Sequence, residues 1–256
     1  MMAEFVGSTG AGKTTLAADV HRRLTEARER GVATSIDLVA ERIGCRPPAH
    51  PTRQNLLSDI VGFPFFVRST FRHRAFPLFA ARFLARQRGR IFLRLNRLRN
   101  VVRKIGTYEI VQRHGDDRIV LVDEGTVLAA HNLFGDDDTA WGPEDLQTFA
   151  RLVPLPDAIV CVTAPVDELV RRSLARPDPP RMMRARDESR VERHVRRAVD
   201  LFEDLLEVPR IRERAMIVEN AADTAEARVP VVDRIVRFLL DERRRSAETT
   251  LSGARS

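Results

Sequence analysis

Short apolar runs alternate along the chain with longer stretches of helical spacing. The apolar runs predict five strands, Ala3–Val6, Val32–Ile36, Ile119–Val122, Ala158–Val162 and Met216–Val218. After the first strand, Leu16, Val20 and Leu24 repeat at the period of a helix, which Gly31 ends. An alternation of this kind is typical of an α/β fold in which helices cover a parallel sheet.

One domain with a helical insertion accounts for the pattern. We assign residues 1–245 to this domain and expect the polar, small residues 246–256 to form a disordered tail. The insertion, residues 53–114, separates the second strand from the third. It is predicted to form helices that are broken near Pro64, Pro77 and Gly89.

A glycine-rich loop lies between the first predicted strand and the helix that follows. Residues 7–14 match the pattern G-x-x-x-x-G-K-[ST] at every fixed position. Glycines let successive backbone N–H groups point at phosphate oxygens, and the helix adds positive potential at its N-terminus. In such a loop the lysine, Lys13, reaches the outer phosphates and the Thr14 hydroxyl ligates Mg²⁺. We therefore expect ATP, or alternatively GTP, to bind at Gly7, Ser8, Thr9, Gly10, Ala11, Gly12, Lys13, Thr14 and Thr15.

Acids follow two of the predicted strands, at the sheet edge where ligands bind in open α/β folds. We assign Asp123 to binding Mg²⁺, usually through a water molecule. Its alternative role is to cap the following helix. Asp37 ends the strand beside the loop and is assigned to catalysis or substrate contact, again with a helix cap as the alternative. Glu124 follows Asp123 directly, and many P-loop ATPases use such a pair to polarise water.

An arginine-dense segment broken by prolines, residues 171–187, follows the fourth strand. Such a segment is suited to close over the triphosphate as a lid and to neutralise charge that develops during phosphoryl transfer. We assign Arg176 to nucleotide binding, and Arg181 and Arg184 to catalysis. The alternative is a solvated basic helix face.

The order of these features resembles the thymidylate kinase and deoxynucleoside kinase branch of the P-loop kinases. Residues 156–172 are similar to that branch's fourth strand and the helix before its lid, and residues 216–221 to its last strand and the loop that touches adenine. The resemblance implies a three-layer fold with strand order 2-3-1-4-5, ATP and Mg²⁺, and nucleotide contacts at Asn220 and Ala221. It also implies phosphoryl transfer to a nucleoside or nucleoside monophosphate. The chain departs from the branch at Glu124, where those kinases commonly carry an arginine that holds the reacting end of the substrate.

Together these features predict an ATP-dependent phosphotransferase with a small-molecule acceptor. We expect a nucleoside or nucleotide first, and then a sugar or lipid-linked sugar. The alternative is a P-loop ATPase or nucleotide-controlled switch that uses Asp123 and Glu124. No nucleic-acid-reading motif is recognised, so we expect no nucleic-acid partner, and a homodimer stays open.

The net charge of +7 is concentrated in one segment. Residues 53–104 hold twelve arginines and Lys104 against the single acid Asp59, a net charge of +12. Residues 63–104 interleave these arginines with phenylalanines. Three interpretations compete: core helices with solvated arginines, a pocket for an acidic or phosphorylated acceptor, or a surface that contacts an anionic membrane.

Three observations bear on localisation. No uncharged apolar run approaches the roughly eighteen residues that span a bilayer. Cys45 and Cys161 lack the spacing of a disulfide framework or a zinc site. With no leader before the first strand, we expect a cytoplasmic protein.

Overall fold

A computed structural model describes residues 1–27, 29, 31–87, 91–115, 117–135, 139–176, 187–222 and 224–253. Its core is a five-stranded parallel sheet in the order β2-β3-β1-β4-β5. The strands are β1 (Met2–Val6), β2 (Val32–Thr34), β3 (Ile119–Val122), β4 (Ala158–Thr163) and β5 (Ala215–Glu219). The predicted α/β class and strand order are therefore confirmed.

Helices cover both faces of the sheet. They are α1 (Lys13–Glu26), α2 (Ser35–Glu41), α3 (Pro51–His73), α4 (Ala75–Arg86), α5 (Ile91–His114), α6 (Ala129–Phe134), α7 (Pro143–Leu152), α8 (Val166–Leu174), α9 (Glu188–Leu206), α10 (Pro209–Arg212) and α11 (Ala225–Gly253). Alternate residues of β4 show the layering. Val160 and Val162 pack with α1 and α11, whereas Ile159 and Cys161 pack with α4, α6 and α7. The strands read as continuous apolar runs because a parallel sheet is buried on both faces.

The insertion contributes α3, α4 and α5. We predicted a break near Pro64, and this was wrong, because α3 continues through that residue. A proline inside a helix leaves the carbonyl four residues earlier without its partner. That residue is Ile60, which is exposed, so water can satisfy its carbonyl. Pro77 lies in the first turn of α4, where a missing N–H costs little, and Gly89 lies outside the described residues.

Several other boundaries differ from the predicted ones, and two of them change an assignment. Strand β2 ends at Thr34 and not at Ile36, because Thr34 caps α2 by accepting a hydrogen bond from the Asp37 backbone N–H. Helix α11 continues to Gly253, where the sequence led us to expect a disordered tail. Among the described residues, none of the helices combines the length and apolar character needed to cross a bilayer.

Helices α3 and α5 approach each other closely at a pair of glycines. A Cβ atom added to Gly106 of α5 would lie 2.4 Å from the carbonyl oxygen of Gly62 and 2.9 Å from its Cα. A Cβ atom added to Gly62 would meet its nearest neighbour at 3.5 Å, an ordinary contact. The crossing therefore requires glycine at position 106 but tolerates alanine at position 62.

This asymmetry predicts opposite effects for the same substitution. Gly106→Ala should lower the free energy of unfolding by about 1–3 kcal/mol, because the new methyl group meets backbone atoms that cannot move independently. Gly62→Ala, the matched control, should be neutral or stabilising by up to about 1 kcal/mol, since alanine favours the helix. Urea unfolding measures both free energies. Equal stability of the two variants would contradict the close crossing.

Candidate active site

The glycine-rich loop joins β1 to α1 and adopts a backbone that other residues rarely adopt. Gly7, Gly10 and Gly12 have φ angles of 133°, 84° and 83°. A Cβ atom on Gly7 would lie 2.1 Å from the Val162 carbonyl oxygen of β4. The neighbouring strand thus fixes the loop in the form that turns N–H groups towards a bound anion.

Lys13, the first residue of α1, folds back over this loop. Its Nζ donates hydrogen bonds to the carbonyl oxygens of Gly7, at 2.9 Å, and Ser8, at 2.8 Å. Burial lowers the pKa of the Lys13 ammonium to about 8, although the nearby carboxylates of Asp123 and Glu124 raise it. The loop therefore holds a partly buried cation that loses its proton around pH 8.

Thr14 and Asp123 meet at the carboxyl edge of the sheet. The Thr14 hydroxyl donates a hydrogen bond of 2.7 Å to Asp123 Oδ2. A hydroxyl and a carboxylate are the hard oxygen ligands that Mg²⁺ prefers, and this ion commonly uses one or two carboxylates together with substrate phosphates. The two residues fit Mg²⁺, and they adjoin Lys13 in the same cleft.

Glu124 connects the glycine-rich loop of residues 7–14, the phosphate loop, to the insertion. Its side chain is exposed, and its Oε2 lies 3.4 Å from Arg103 Nη2 of α5. Arg103 also lies 3.8 Å from Asp59 of α3. The positive charge of buried Lys104 is the main cause that lowers the pKa of the Glu124 carboxyl. Glu124 is therefore ionised at neutral pH.

Glu4 is a site residue that the sequence analysis missed. It is fully buried in β1, and its carboxylate accepts hydrogen bonds from the backbone N–H groups of Val127, at 3.1 Å, and Leu128, at 2.7 Å. Burial raises the pKa of this carboxyl to about 7. Glu4 thus holds the segment that follows Asp123 and Glu124. An acid in the middle of an otherwise apolar strand was the signal in the sequence.

Asn220 supports the phosphate loop from the end of β5. Its side-chain N–H₂ group donates to the Ala11 carbonyl oxygen at 2.9 Å, and its backbone carbonyl oxygen accepts a hydrogen bond from the Arg172 guanidinium at 2.8 Å. A Cβ atom on Gly12 would lie 2.4 Å from Asn220 Nδ2. Contact of Asn220 and Ala221 with the nucleotide stays a prediction.

The phosphate loop opens into one cleft of about 1030 Å³. Loop residues with Asp123 and Glu124 form one part of the lining, and residues from α3 and α5 form another. The described lining also includes Leu128, His131, Asn132 and Arg176. Side chains from these two helices are polar or basic, apart from Leu56 and Pro51. They include Asn55, Asn96, Asn100, Arg99, Arg103 and Lys104.

Of the predicted lid arginines and Asp37, the described residues bring only Arg176 to the cleft. Arg176 lines the cleft, as its assignment to nucleotide binding requires, but Arg181 and Arg184 lie outside the described residues. Asp37 is absent from the described lining. Its Oδ2 accepts hydrogen bonds from the Thr34 backbone N–H, at 2.8 Å, and hydroxyl, at 2.6 Å, which is the geometry of a helix cap.

Comparisons with known proteins give a likeness of fold. No family model matches the chain, and no curated protein matches it. One similar structure is the shikimate kinase from Acinetobacter baumannii in complex with shikimate, with 18% identity and a TM-score of 0.41 over 94% of this chain and 93% of that one. Another is the shikimate kinase from Bacteroides thetaiotaomicron, with 13% identity and a TM-score of 0.44 over 93% of this chain and 98% of that one.

The depressed pKa of Lys13 predicts that nucleotide affinity depends on pH. Only the ammonium form pairs with phosphate, so the Kd for ATP should rise by roughly tenfold per pH unit above about pH 8. Lys13→Arg is the control, because a guanidinium stays charged throughout this range. Titration calorimetry from about pH 7 to about pH 9.5 measures both profiles. Parallel profiles for the two proteins would contradict the role of the lysine charge.

The raised pKa of Glu4 predicts a pH dependence of stability. A carboxyl whose pKa is raised on folding stabilises the fold below its unfolded pKa of 4.5, and this contribution is lost as the pH rises through about 7. Compared with Glu4→Gln, the wild-type protein should lose up to about 3 kcal/mol between about pH 5 and about pH 8. Chemical unfolding of both proteins across this pH range measures the difference in their free energies of unfolding. A constant difference between the two proteins would show that Glu4 does not titrate there.

Proposed function

We propose that the protein is an ATP-dependent phosphotransferase that moves the γ-phosphate to a small-molecule acceptor. The observation that carries this proposal is a single cleft with two halves. One half contains the phosphate loop with Lys13, Thr14 and Asp123, and the other contains side chains from the insertion. Its volume lies at the upper end of the range for ligand pockets, roughly 300–1,000 Å³, which leaves room for an acceptor beside the triphosphate.

The residues of the nucleotide half have distinct tasks. The loop N–H groups and Lys13 hold the β- and γ-phosphates and stabilise the negative charge on the transferring group. Mg²⁺, held by Thr14 and Asp123, would supply further charge neutralisation at these phosphates. Arg176 adds a cation at the same cleft. Asn220 and Glu4 act indirectly, because they fix the loop and the segment after Asp123.

Glu124 is the base that we favour for the acceptor hydroxyl. It follows the proposed Mg²⁺ ligand, lines the cleft and is exposed to it. Because the charge of Lys104 keeps it ionised, it can accept a proton at neutral pH. Asp37 is the competing candidate from the sequence, but its carboxylate is already engaged in the cap of α2.

The acceptor half favours a molecule rich in hydroxyl groups. Asn55, Asn96 and Asn100 offer amides that both donate and accept hydrogen bonds. In the described part of the lining there is no Phe, Tyr or Trp on which a nucleobase could stack. Arg99 already pairs with Asp59 at 2.5 Å. We therefore rank sugars and related polyols above nucleosides, which the sequence alone put first.

Two substitutions separate the candidate bases. In a phosphoryl-transfer screen over sugars, lipid-linked sugars, nucleosides and nucleotides, Glu124→Gln should lower kcat by about 10²-fold or more with little change in ATP affinity. Asp37→Asn should keep a rate near that of the wild type, because asparagine caps a helix about as well as aspartate. A normal rate for Glu124→Gln together with a slow Asp37→Asn would reverse the assignment.

The rival function is an ATPase or nucleotide-controlled switch. The adjacent Asp123 and Glu124 support it, since an exposed glutamate beside the phosphate loop could equally orient water. The two functions differ in their need for an acceptor. ADP formation that no acceptor stimulates, and that Glu124→Gln abolishes, would favour the ATPase.

A further inference from the structure

Helix α3 exposes a line of large apolar side chains on its outer side. They follow one another at intervals of four, three, four and four residues, which places them on one face of a helix. Each is between 51% and 89% exposed, with Phe71 the most exposed. We call this set the outer stripe: Leu56, Ile60, Phe63, Val67 and Phe71. With 1.5 Å per residue, it is about 22 Å long.

The outer stripe is not a consequence of a loosely attached helix. The opposite side of α3 packs into the fold through Leu57, Val61 and Phe65, in a cluster with residues of α2, α5 and the sheet. Close contact between Gly62 and Gly106 fixes the same helix against α5. Helix α3 therefore has one apolar face that stabilises the fold and a second that faces solvent.

Exposed apolar side chains are concentrated in the insertion to which this helix belongs. Of the thirteen large hydrophobic residues exposed in the described part of the chain, ten lie between Leu56 and Leu95. Besides the outer stripe, these are Leu78, Ile91, Phe92, Leu93 and Leu95. Single exposed hydrophobic residues are ordinary, but a cluster marks a site of interaction.

The charge around the outer stripe identifies the kind of partner. Exposed arginines accompany it on α3, at the junction with α4 and on α4: Arg53, Arg68, Arg72, Arg74, Arg82 and Arg86. The single acid between residues 53 and 104, Asp59, is paired with Arg99 and Arg103. An apolar helix face bordered by cations is the arrangement with which peripheral proteins enter the interface of an anionic bilayer.

We propose that the outer stripe and its arginines form a docking surface for a bilayer that contains anionic lipid. A second copy of the chain fits less well, because a two-fold contact would bring the same patch of arginines against itself. Leu56 belongs to the outer stripe and also lines the cleft, so docking would bring the mouth of the cleft to the lipid surface. The proposal concerns binding and does not depend on phosphotransferase activity.

Flotation with vesicles, without nucleotide, tests the apolar part. Two kinds of vesicle are compared: anionic vesicles that mix phosphatidylcholine with phosphatidylglycerol, and neutral vesicles of phosphatidylcholine alone. Wild-type protein should float with the anionic vesicles, and rising salt should release it. Val67→Gln combined with Phe71→Gln should lower the partition coefficient at least about tenfold. Glutamine preserves helix propensity, so unfolding should be unchanged. The matched control is Val229→Gln, at an exposed position of α11, which should bind like the wild type.

A second pair of variants tests the charge. Arg68→Gln with Arg74→Gln should weaken binding to the anionic vesicles by about tenfold or more. Arg212→Gln with Arg244→Gln removes the same charge from exposed positions on α10 and α11 and should have little effect. The proposal is overturned if the wild type binds neither vesicle, or binds phosphatidylcholine alone equally well. A lipid-free dimer that Phe71→Gln dissociates would instead assign the surface to a second copy of the chain.

Discussion

The candidate site depends on one carboxylate buried in the middle of the sheet. Burying an ionised group costs several kcal/mol unless hydrogen bonds and nearby charge offset the loss of water. At Glu4, two backbone N–H groups and the positive charge of Lys104 offset only part of this cost, because burial still raises the pKa of the carboxyl to about 7. The same carboxylate favours glycine at position 125, because a Cβ atom there would lie 2.3 Å from it and would displace it from its hydrogen bonds. Because Lys104 belongs to α5, the insertion and the carboxyl edge of the sheet are electrostatically coupled.

The nucleotide half could be predicted from the sequence because its determinants are local. Eight contiguous residues fix the phosphate loop, and an acid directly after a buried apolar run fixes the position of Asp123. The sheet order followed from the resemblance, and the apolar strands followed from burial on both faces. Glu4 was equally visible as an acid in an apolar strand. Its partners are backbone N–H groups more than 120 residues away, which no residue pattern identifies.

The acceptor half could not be predicted, because it is assembled from two helices of the insertion. Asn55, Asn96 and Asn100 face one cleft only after α3 and α5 cross at Gly62 and Gly106. The sequence pattern did not reveal this contact, since Pro64 suggested a break in α3. The end of β2 was predicted two residues too late for a similar reason. The sequence permits a strand end or a capping box, and the reciprocal bonds with Thr34 decide for the capping box.

The distribution of charge gives the insertion two simultaneous properties. Residues 53–104 carry a net charge of +12, whereas the whole chain carries +7. The rest of the chain therefore carries about −5, and the molecule is strongly polarised. In the proposed docking, a field of this kind would orient the insertion towards an anionic surface before contact. Apolar side chains left in water contribute nothing to folding, and they favour association with any apolar surface, including another copy. Repulsion between arginines opposes contact between two outer stripes, so the charges that we propose to attract anionic lipid would also disfavour association through this face.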